Sequence, residues 1–287
     1  SRQGNMLWSA VTTTSMGASG VLCWQTYQTN GNPMTHFIGT SGTSATCPAG
    51  YARIPVADLR GNNGYAYAMT NRGGFYLGYV DSWDYTSQQW GGGWAHRYWS
   101  TGLGGNIDVA CVKTMGVESD PATRNGVYAV VLGVKGPAIC PAGYTYRPTS
   151  ETLGANNESY LSMTDSAVLM GGLYSWNYGG ETYQQTNWSS TSNVNYCWRF
   201  YPRVNRPAAN VRALNGFNCP SDHISLNVSD VNGNNANLYI QRVTNSLYIG
   251  GLVSWARQDY TEGSIAVNIT TQANRICYKV ENVASWP

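Results

Sequence analysis

The residues best suited to bind a small molecule are concentrated in one short stretch, from Asp84 to Tyr98. This stretch holds two tryptophans on either side of a run of glycines, together with amide, carboxylate, imidazole and guanidinium groups. Aromatic rings stack on the C–H faces of a sugar, and polar groups of these kinds bind its hydroxyls. The composition therefore favours a carbohydrate site. The side chains that we expect to contact the sugar are Asp84, Tyr85, Trp90, Trp94, His96, Arg97 and Tyr98.

Two later stretches carry a smaller set of the same groups. They follow Trp176 and Trp255, just as the first stretch follows Trp83. Because these tryptophans recur at a fixed place, we expect them in the core, together with Trp99 and Trp188. The residues that change between copies are expected on the binding face. The further candidates for sugar contact are Asn177, Tyr178, Glu181, Tyr183, Arg257, Asp259 and Tyr260.

Signals for catalysis or for a metal are weak. The histidines are His36, His96 and His223, and none lies in a His-Glu-x-x-His pattern. The chain has neither a Gly-x-Ser-x-Gly nucleophile elbow nor a phosphate-binding loop. Its 15 acidic residues are scattered, which leaves open a carboxylate pair for glycoside hydrolysis. We therefore expect no enzyme, no cofactor and no metal.

Two motifs recur three times at one distance. A Cys-Pro pair begins at Cys47, Cys140 and Cys219, and the first two copies continue as Ala-Gly-Tyr, whereas the third continues as Ser-Asp-His. The tryptophans Trp83, Trp176 and Trp255 each follow their cysteine by 36 residues. Such self-similarity predicts tandem units. The expected division is residues 1–46 as the end of a truncated preceding unit plus linker, 47–139 and 140–218 as two units with linkers, and 219–287 as the third unit.

The repeat suggests two pairing schemes for the seven cysteines. One closes each unit, as Cys47–Cys111, Cys140–Cys197 and Cys219–Cys277, and leaves Cys23 over because its unit is truncated. The rival scheme closes the short linkers, as Cys23–Cys47, Cys111–Cys140 and Cys197–Cys219, and leaves Cys277 over. Sequence alone does not settle connectivity, and we favour the first scheme. Loops of this size gain about 3–4 kcal/mol per bridge, and such bridges persist in oxidising compartments.

The composition is that of an extracellular protein with neutral partners. Charged residues make up 11% of the chain, against roughly 25% in ordinary soluble domains. The net charge is +2 and basic residues are not clustered, which argues against nucleic-acid binding. No apolar run is long enough to cross a membrane.

Strand patterns dominate the secondary structure. Gly126–Val134 and Asn237–Val243 are rich in β-branched and aromatic residues, which predicts strands. The best helix candidate is Val56–Arg60, which stops at Gly61. Met115–Ile139 and Tyr201–Asn218 are predicted linkers. The expected fold is therefore mainly β, built from tandem, small, disulfide-closed units.

The opening Cys-Pro-Ala-Gly-Tyr, the apolar-glycine strand before a tryptophan and the cysteine in the last strand together resemble the C-type lectin-like domain. The resemblance implies extracellular recognition, as in domains at the tips of bacterial pili and fibres. The units are about half the family's usual length, and they lack its inner cysteine pair. The Glu-Pro-Asn, Gln-Pro-Asp and Trp-Asn-Asp motifs that hold calcium and sugar are also missing, so no calcium site is implied. Convergence on a disulfide-closed β unit would give the same pattern.

These observations favour a secreted or cell-surface adhesin fragment that binds a surface glycan or glycoprotein and belongs to a longer fibre or pilus protein. Two alternatives are a self-associating stalk or coat protein and a secreted carbohydrate-active enzyme.

Overall fold

The computed structural model describes residues 33–59, 65–71, 74–78, 95–100, 107–117, 123, 125–136, 139–153, 158–163, 167–171, 184–189, 194–216, 218–231, 237–243, 245–250, 265–268 and 273–283. Within them the protein is mainly β, with one short α-helix, α1 (Val228–Val231), and 3₁₀ helices at Val56–Leu59 and Thr149–Glu151. The strands are β1 Met34–Ser41, β2 Ala52–Pro55, β3 Tyr65–Asn71, β4 Gly74–Gly78, β5 Ala95–Ser100, β6 Ile107–Met115, β7 Val127–Lys135, β8 Thr145–Pro148, β9 Glu158–Met163, β10 Ala167–Gly171, β11 Gln184–Ser189, β12 Val194–Leu214, β13 Ile224–Asn227, β14 Asn237–Val243, β15 Ser246–Gly250, β16 Ile265–Asn268 and β17 Arg275–Val283.

The elements expected from local composition are confirmed. The run predicted from Gly126 is β7, and its β-branched residues are buried on both faces of the strand. The run predicted over Asn237–Val243 is β14. The helix expected at Val56 forms as a single 3₁₀ turn that ends at Leu59.

The two predicted linkers are wrong. Met115–Ile139 contains β7, and Tyr201–Asn218 contains the second half of β12. Pro202 and Pro207 suggested an irregular connection. Pro202 is the last residue of the ladder with β7, opposite Val127, and Pro207 lies in the register shift between Arg203 and Ala208. Proline lacks the N–H that a regular ladder requires, and an irregularity in the strand tolerates that loss.

The disulfides are Cys47–Cys111, Cys140–Cys197 and Cys219–Cys277. This is the favoured pairing, and the linker-closing scheme is wrong. The position of Cys23 falls outside the described residues. The bridges are typical of proteins in an oxidising environment.

The bridges allow three segments to be defined: the first over residues 34–115, the second over 127–203 and the third over 208–283. In each, the closing cysteine lies on a strand whose two edges are both paired: β6 between β1 and β2, β12 between β7 and β8, and β17 between β12 and β13. The residues that flank it across the ladder are Ile38 and Arg53, then Leu132 and Tyr146, then Arg212 and Ser225.

A three-stranded set lies later in each segment. Its middle strand pairs antiparallel with both neighbours, in the orders β4-β3-β5, β10-β9-β11 and β15-β14-β16. The set of the second segment joins the first segment because β10 pairs in parallel with β1. The set of the third segment joins the second because β15 pairs in parallel with β7. Each of these segments thus extends the sheet of the segment before it.

Three apolar clusters fill the spaces between these layers. The first core packs β1, β6, β9 and β10 against β7 and the first half of β12. The second core packs β7, β14 and β15 against β13, α1 and β17. A small core, with Phe37, Ile107 and Leu169, lies on the opposite face of the six-stranded sheet, where Leu77 of β4 packs against it. Each of the two large cores therefore lies between one segment and the next segment along the chain.

Candidate functional site

Most of the predicted sugar-contacting residues lie outside the described residues. These are Asp84, Tyr85, Trp90, Trp94, Asn177, Tyr178, Glu181, Tyr183, Arg257, Asp259 and Tyr260, and the predicted core tryptophans Trp83, Trp176 and Trp255 lie there too. His96, Arg97 and Tyr98 are on β5, where their backbone partners on β3 are Met69, Ala68 and Tyr67. Trp99 and Trp188 are also on strands, β5 and β11.

The chain positions of these stretches are nevertheless equivalent. Residues 79–94 connect β4 to β5, residues 172–183 connect β10 to β11, and residues 251–264 connect β15 to β16. In each set the two connected strands are parallel to each other, on either side of the middle strand. All three candidate binding stretches thus occupy the same step of the topology.

The parallel pairing of β10 with β1 brings the backbones of these two strands unusually close. Gly171, at the end of β10, has φ of +130°, which side chains rarely adopt. A Cβ added there would lie 2.7 Å from the carbonyl oxygen of Gly39 and 2.9 Å from its Cα. Only glycine allows β10 to approach β1 at this point.

The first core contains a buried imidazole that joins two segments. His36 is fully buried on β1. Its Nδ1 shares a hydrogen bond with the Tyr51 hydroxyl, and its Nε2 lies 3.4 Å from the Met170 sulfur. Its ring centroid is 5.1 Å from that of Trp198 and 5.0 Å from that of Phe200, both edge-on. Residues of the second segment therefore enclose a side chain of the first.

Burial keeps this imidazole neutral. Loss of solvation, followed by the positive charge of Lys113, lowers the pKa of His36 to about 3. A neutral histidine enclosed by aromatic rings at 0% exposure can serve as a hydrogen-bond partner. It has no route to a dissolved substrate, so we assign it a packing role.

The second core holds three tyrosine hydroxyls in a chain. Tyr278 donates to the Tyr144 hydroxyl at 2.8 Å, and the Tyr144 and Tyr201 hydroxyls are 3.1 Å apart. The Arg199 guanidinium lies over the Tyr201 ring, 4.9 Å from its centroid. Burial raises the pKa of Tyr144 and of Tyr278 above the ordinary value, so both stay protonated.

The third segment carries an ionic cluster on its exposed face. Lys279 on β17 donates to Asp222 at 2.8 Å and lies 3.9 Å from Glu281, while Asp222 also contacts His223 at 2.8 Å. The hydrogen bond from Lys279, and then the one from His223, lowers the pKa of Asp222 to about 2. Arg275 donates to Ser225 at 3.3 Å on the same strand pair.

Sequence reasoning missed the residues that carry the contacts between segments. Trp198 is the largest fully buried side chain that the structure describes, and His36 lies against it. The available signal was position: Trp198 directly follows the closing Cys197, as Tyr278 follows Cys277. His36 gave no signal, because nothing local distinguishes it from an exposed histidine.

Over the described ranges, no group of three or more His, Cys, Asp or Glu side chains is placed to hold a metal ion. In the same part of the chain, no helix has the length and apolar character needed to span a membrane. No family model, curated protein or solved structure matches the chain.

Proposed function

We propose that the chain is an extracellular adhesin fragment in which three related, disulfide-closed β modules form a rigid support for carbohydrate-binding stretches. The modules correspond to the three segments, and two observations support their kinship. The closing cysteine has the same two neighbours in each ladder, one from the preceding strand and one from the strand after Cys-Pro. The Cys-Pro turn also repeats, since the N–H of Tyr51, Tyr144 and His223 donates to the carbonyl of Pro48, Pro141 and Pro220.

The observation that carries the proposal is the common location of the three variable stretches. The second and third stretches begin at the ends of β10 and β15, the strands that pair with the sheet of the preceding module. The first stretch begins at the end of β4, the corresponding strand of its set. Binding residues are commonly presented on connections held by a rigid scaffold, because ordering them in advance lowers the entropy lost on binding. The aromatic and amide side chains in these stretches suit a sugar ring.

Extracellular location is part of the proposal. Three bridges closing loops of 57 to 64 residues are consistent with an oxidising compartment. Kinship with C-type lectin-like domains also remains a proposal, which the bridge between an opening loop and the closing strand supports. Since the calcium-binding motifs of that family are missing, glycan binding is expected to be independent of calcium.

The test is a glycan array with the intact chain and with the double variant Trp90→Ala, Trp94→Ala. The intact chain is expected to bind a defined set of glycans, with or without a chelator, and the double variant is expected to lose the signal while keeping its thermal unfolding curve. Tyr146→Ala is the matched control, because Tyr146 is an exposed aromatic residue on β8, a strand that does not border any of the variable stretches along the chain. An array without any hit would contradict the proposal.

A self-associating stalk or coat protein is the second candidate. The specific observation in its favour is that the modules share sheets, as spacers in a fibre do. It predicts concentration-dependent assembly and no glycan affinity, so light scattering alongside the array separates the two functions.

A further inference from the structure

The faces that modules present to the next one differ in a way that bears on how many can join. The residue opposite the closing cysteine is Ile38 in the first segment and Leu132 in the second, and both are fully buried. In the third segment it is Arg212, which is exposed. An exposed arginine therefore replaces the apolar side chain that each of the other two segments buries against the next segment.

The closing strand shows the same replacement. Four residues after the closing cysteine lie Met115 and Tyr201, which are buried at 2% and 0% exposure. The third segment has Glu281 at that position, with its side chain 47% exposed. Ile276, Tyr278 and Val280 of β17 face the second core, so the residues alternating with them face outward.

The divergence of the third Cys-Pro motif fits this pattern. Tyr51 and Tyr144 end the first two motifs, and each packs into the core that its module shares with the next. Asp222 replaces the glycine and His223 replaces the tyrosine in the third. Asp222 pairs with Lys279, whereas the basic residues at that place in the other segments, Lys113 and Arg199, lie over tyrosine rings.

We propose that the outer face of β17 and the second half of β12 is a closed end, where charged residues prevent a further module from packing. Modular arrays need such polar caps, because an uncovered apolar face or strand edge promotes association. The inference rests on the modular array proposed above and adds that no further module of this kind packs on this face. The β4 edge of the first segment is then left as the end at which a module can be joined.

The test uses an opened variant, in which charged residues of this face are replaced by residues found at the corresponding positions of the other segments. Its substitutions are Arg212→Leu, Arg275→Val, Glu281→Met and Asp222→Gly, which together leave the net charge unchanged. Sedimentation velocity is expected to show a monomer for the natural sequence and concentration-dependent association for the opened variant. The control is Asp58→Leu with Ser150→Leu, two exposed positions on the 3₁₀ helices, and it is expected to stay monomeric.

Cross-linking then identifies the contact, with Cys23→Ser in every chain. If β4 of a second copy joins β12 as β10 joins β1, Leu77 takes the place of Met170 and lies opposite Arg212, which places Phe75 opposite Asn210. An opened chain with Asn210→Cys, mixed with one carrying Phe75→Cys, should give a disulfide-linked dimer that neither gives alone.

Three outcomes would overturn the closed end: association of the natural sequence through the 210–75 contact, an opened variant that folds and stays monomeric, or equal association of the control. None of these measurements involves a glycan, so failure of the adhesin function would be seen separately on the array.

Discussion

The first and second cores occupy corresponding places and are filled differently. Tyr51 and Tyr144 come from the same motif, and the residue after the closing cysteine that meets them is Trp198 in one core and Tyr278 in the other. In the first core the Tyr51 hydroxyl hydrogen-bonds to the His36 imidazole and to the Trp198 side chain. In the second the Tyr144 hydroxyl finds two further hydroxyls, and the position corresponding to His36, two residues before the partner of the cysteine, is Val130.

This difference shows that the motif tyrosine can be satisfied by different hydrogen-bond partners in the two cores. A partner for a buried hydroxyl is favourable, because leaving the hydroxyl unsatisfied costs about 1–3 kcal/mol. The partner may come from the same segment, as His36 does, or from the next one, as Tyr278 does. The two cores therefore occupy corresponding places with different side chains. Among the described residues, the first core holds a buried imidazole, whose pKa burial lowers to about 3, and the second holds tyrosine hydroxyls instead.

The largest expected effect is loss of the side chain that fills each joint. Trp198→Ala should destabilise the protein by about 3–5 kcal/mol, since a buried aromatic leaves a cavity that its neighbours only partly close. Tyr278→Ala should have an effect of the same order in the second core. Urea unfolding measures both, and Tyr146→Ala, at an exposed position, should change stability by less than about 0.5 kcal/mol. A loss of below about 1 kcal/mol for Trp198→Ala would show that the first core is not a joint.

The second prediction concerns the parallel join beneath the first core. Gly171→Ala places a methyl group against the backbone of Gly39 and holds an unfavourable φ, so a loss of at least about 1–3 kcal/mol is expected. Gly216→Ala is the matched control, because Gly216 also has positive φ, +74°, but nothing lies within 4 Å of its added Cβ. Thermal unfolding of the two variants separates the clash from the backbone strain. Equal losses would mean that the close approach of β10 to β1 is unimportant.

The sequence was informative within a segment and uninformative between segments. The constant spacing of the motifs within each segment was enough to favour the correct bridges, Cys47–Cys111, Cys140–Cys197 and Cys219–Cys277. Composition predicts strand β7, although the stretch that contains it, Met115–Ile139, is also predicted to be a linker. Pairing of β1 with β10 joins residues more than 120 positions apart, and no local pattern specifies such a partner.

For the candidate site the limit is different. The spacing located the variable stretches, and the structure shows that each occupies the same topological step. The buried His36 was not predicted, since its role depends on Tyr51, Met170 and Trp198, which reach it from three other strands or turns. The charges of the closed end were not predicted either, because their meaning comes from comparison with the buried Ile38 and Met115.

The third prediction separates the two cores by pH. The pKa of His36 is lowered to about 3 from 6.5, so the unfolded chain takes up a proton before the folded one does. The stability that depends on the neutral His36 ring is therefore fully present above about pH 6.5. It is lost as the pH falls towards about 3, by at most about 1.4 kcal/mol per pH unit. The groups facing the ring are Tyr51, Lys113, Met170, Trp198 and Phe200.

The measurement is urea unfolding across this pH range for the natural sequence and for His36→Val with Tyr51→Phe, which removes both partners together. The double variant should lose the acid sensitivity above pH 4. Asp222, whose pKa is lowered to about 2 from 3.8, contributes only at lower pH, and its exposure keeps that contribution small. An unchanged slope in the double variant would place the acid sensitivity outside the first core.

The smallest effect should come from removing single hydroxyls, and it tests the comparison most finely. Tyr51→Phe leaves the fully buried Nδ1 of His36 without its partner, and because a ring nitrogen is fixed in direction, a loss of about 1–3 kcal/mol is expected. Tyr144→Phe removes the middle of the hydroxyl chain, but the Tyr201 and Tyr278 hydroxyls can rotate, so a loss of about 0.5–1.5 kcal/mol is expected. Combining Tyr51→Phe with His36→Val should remove the part of the loss that comes from the stranded His36 nitrogen, whereas the Trp198 side chain, which also hydrogen-bonds to the Tyr51 hydroxyl, still lacks that partner. A larger loss for Tyr144→Phe than for Tyr51→Phe would contradict this prediction. It would show that the hydroxyl chain of the second core contributes more to stability than the hydrogen bond between Tyr51 and His36.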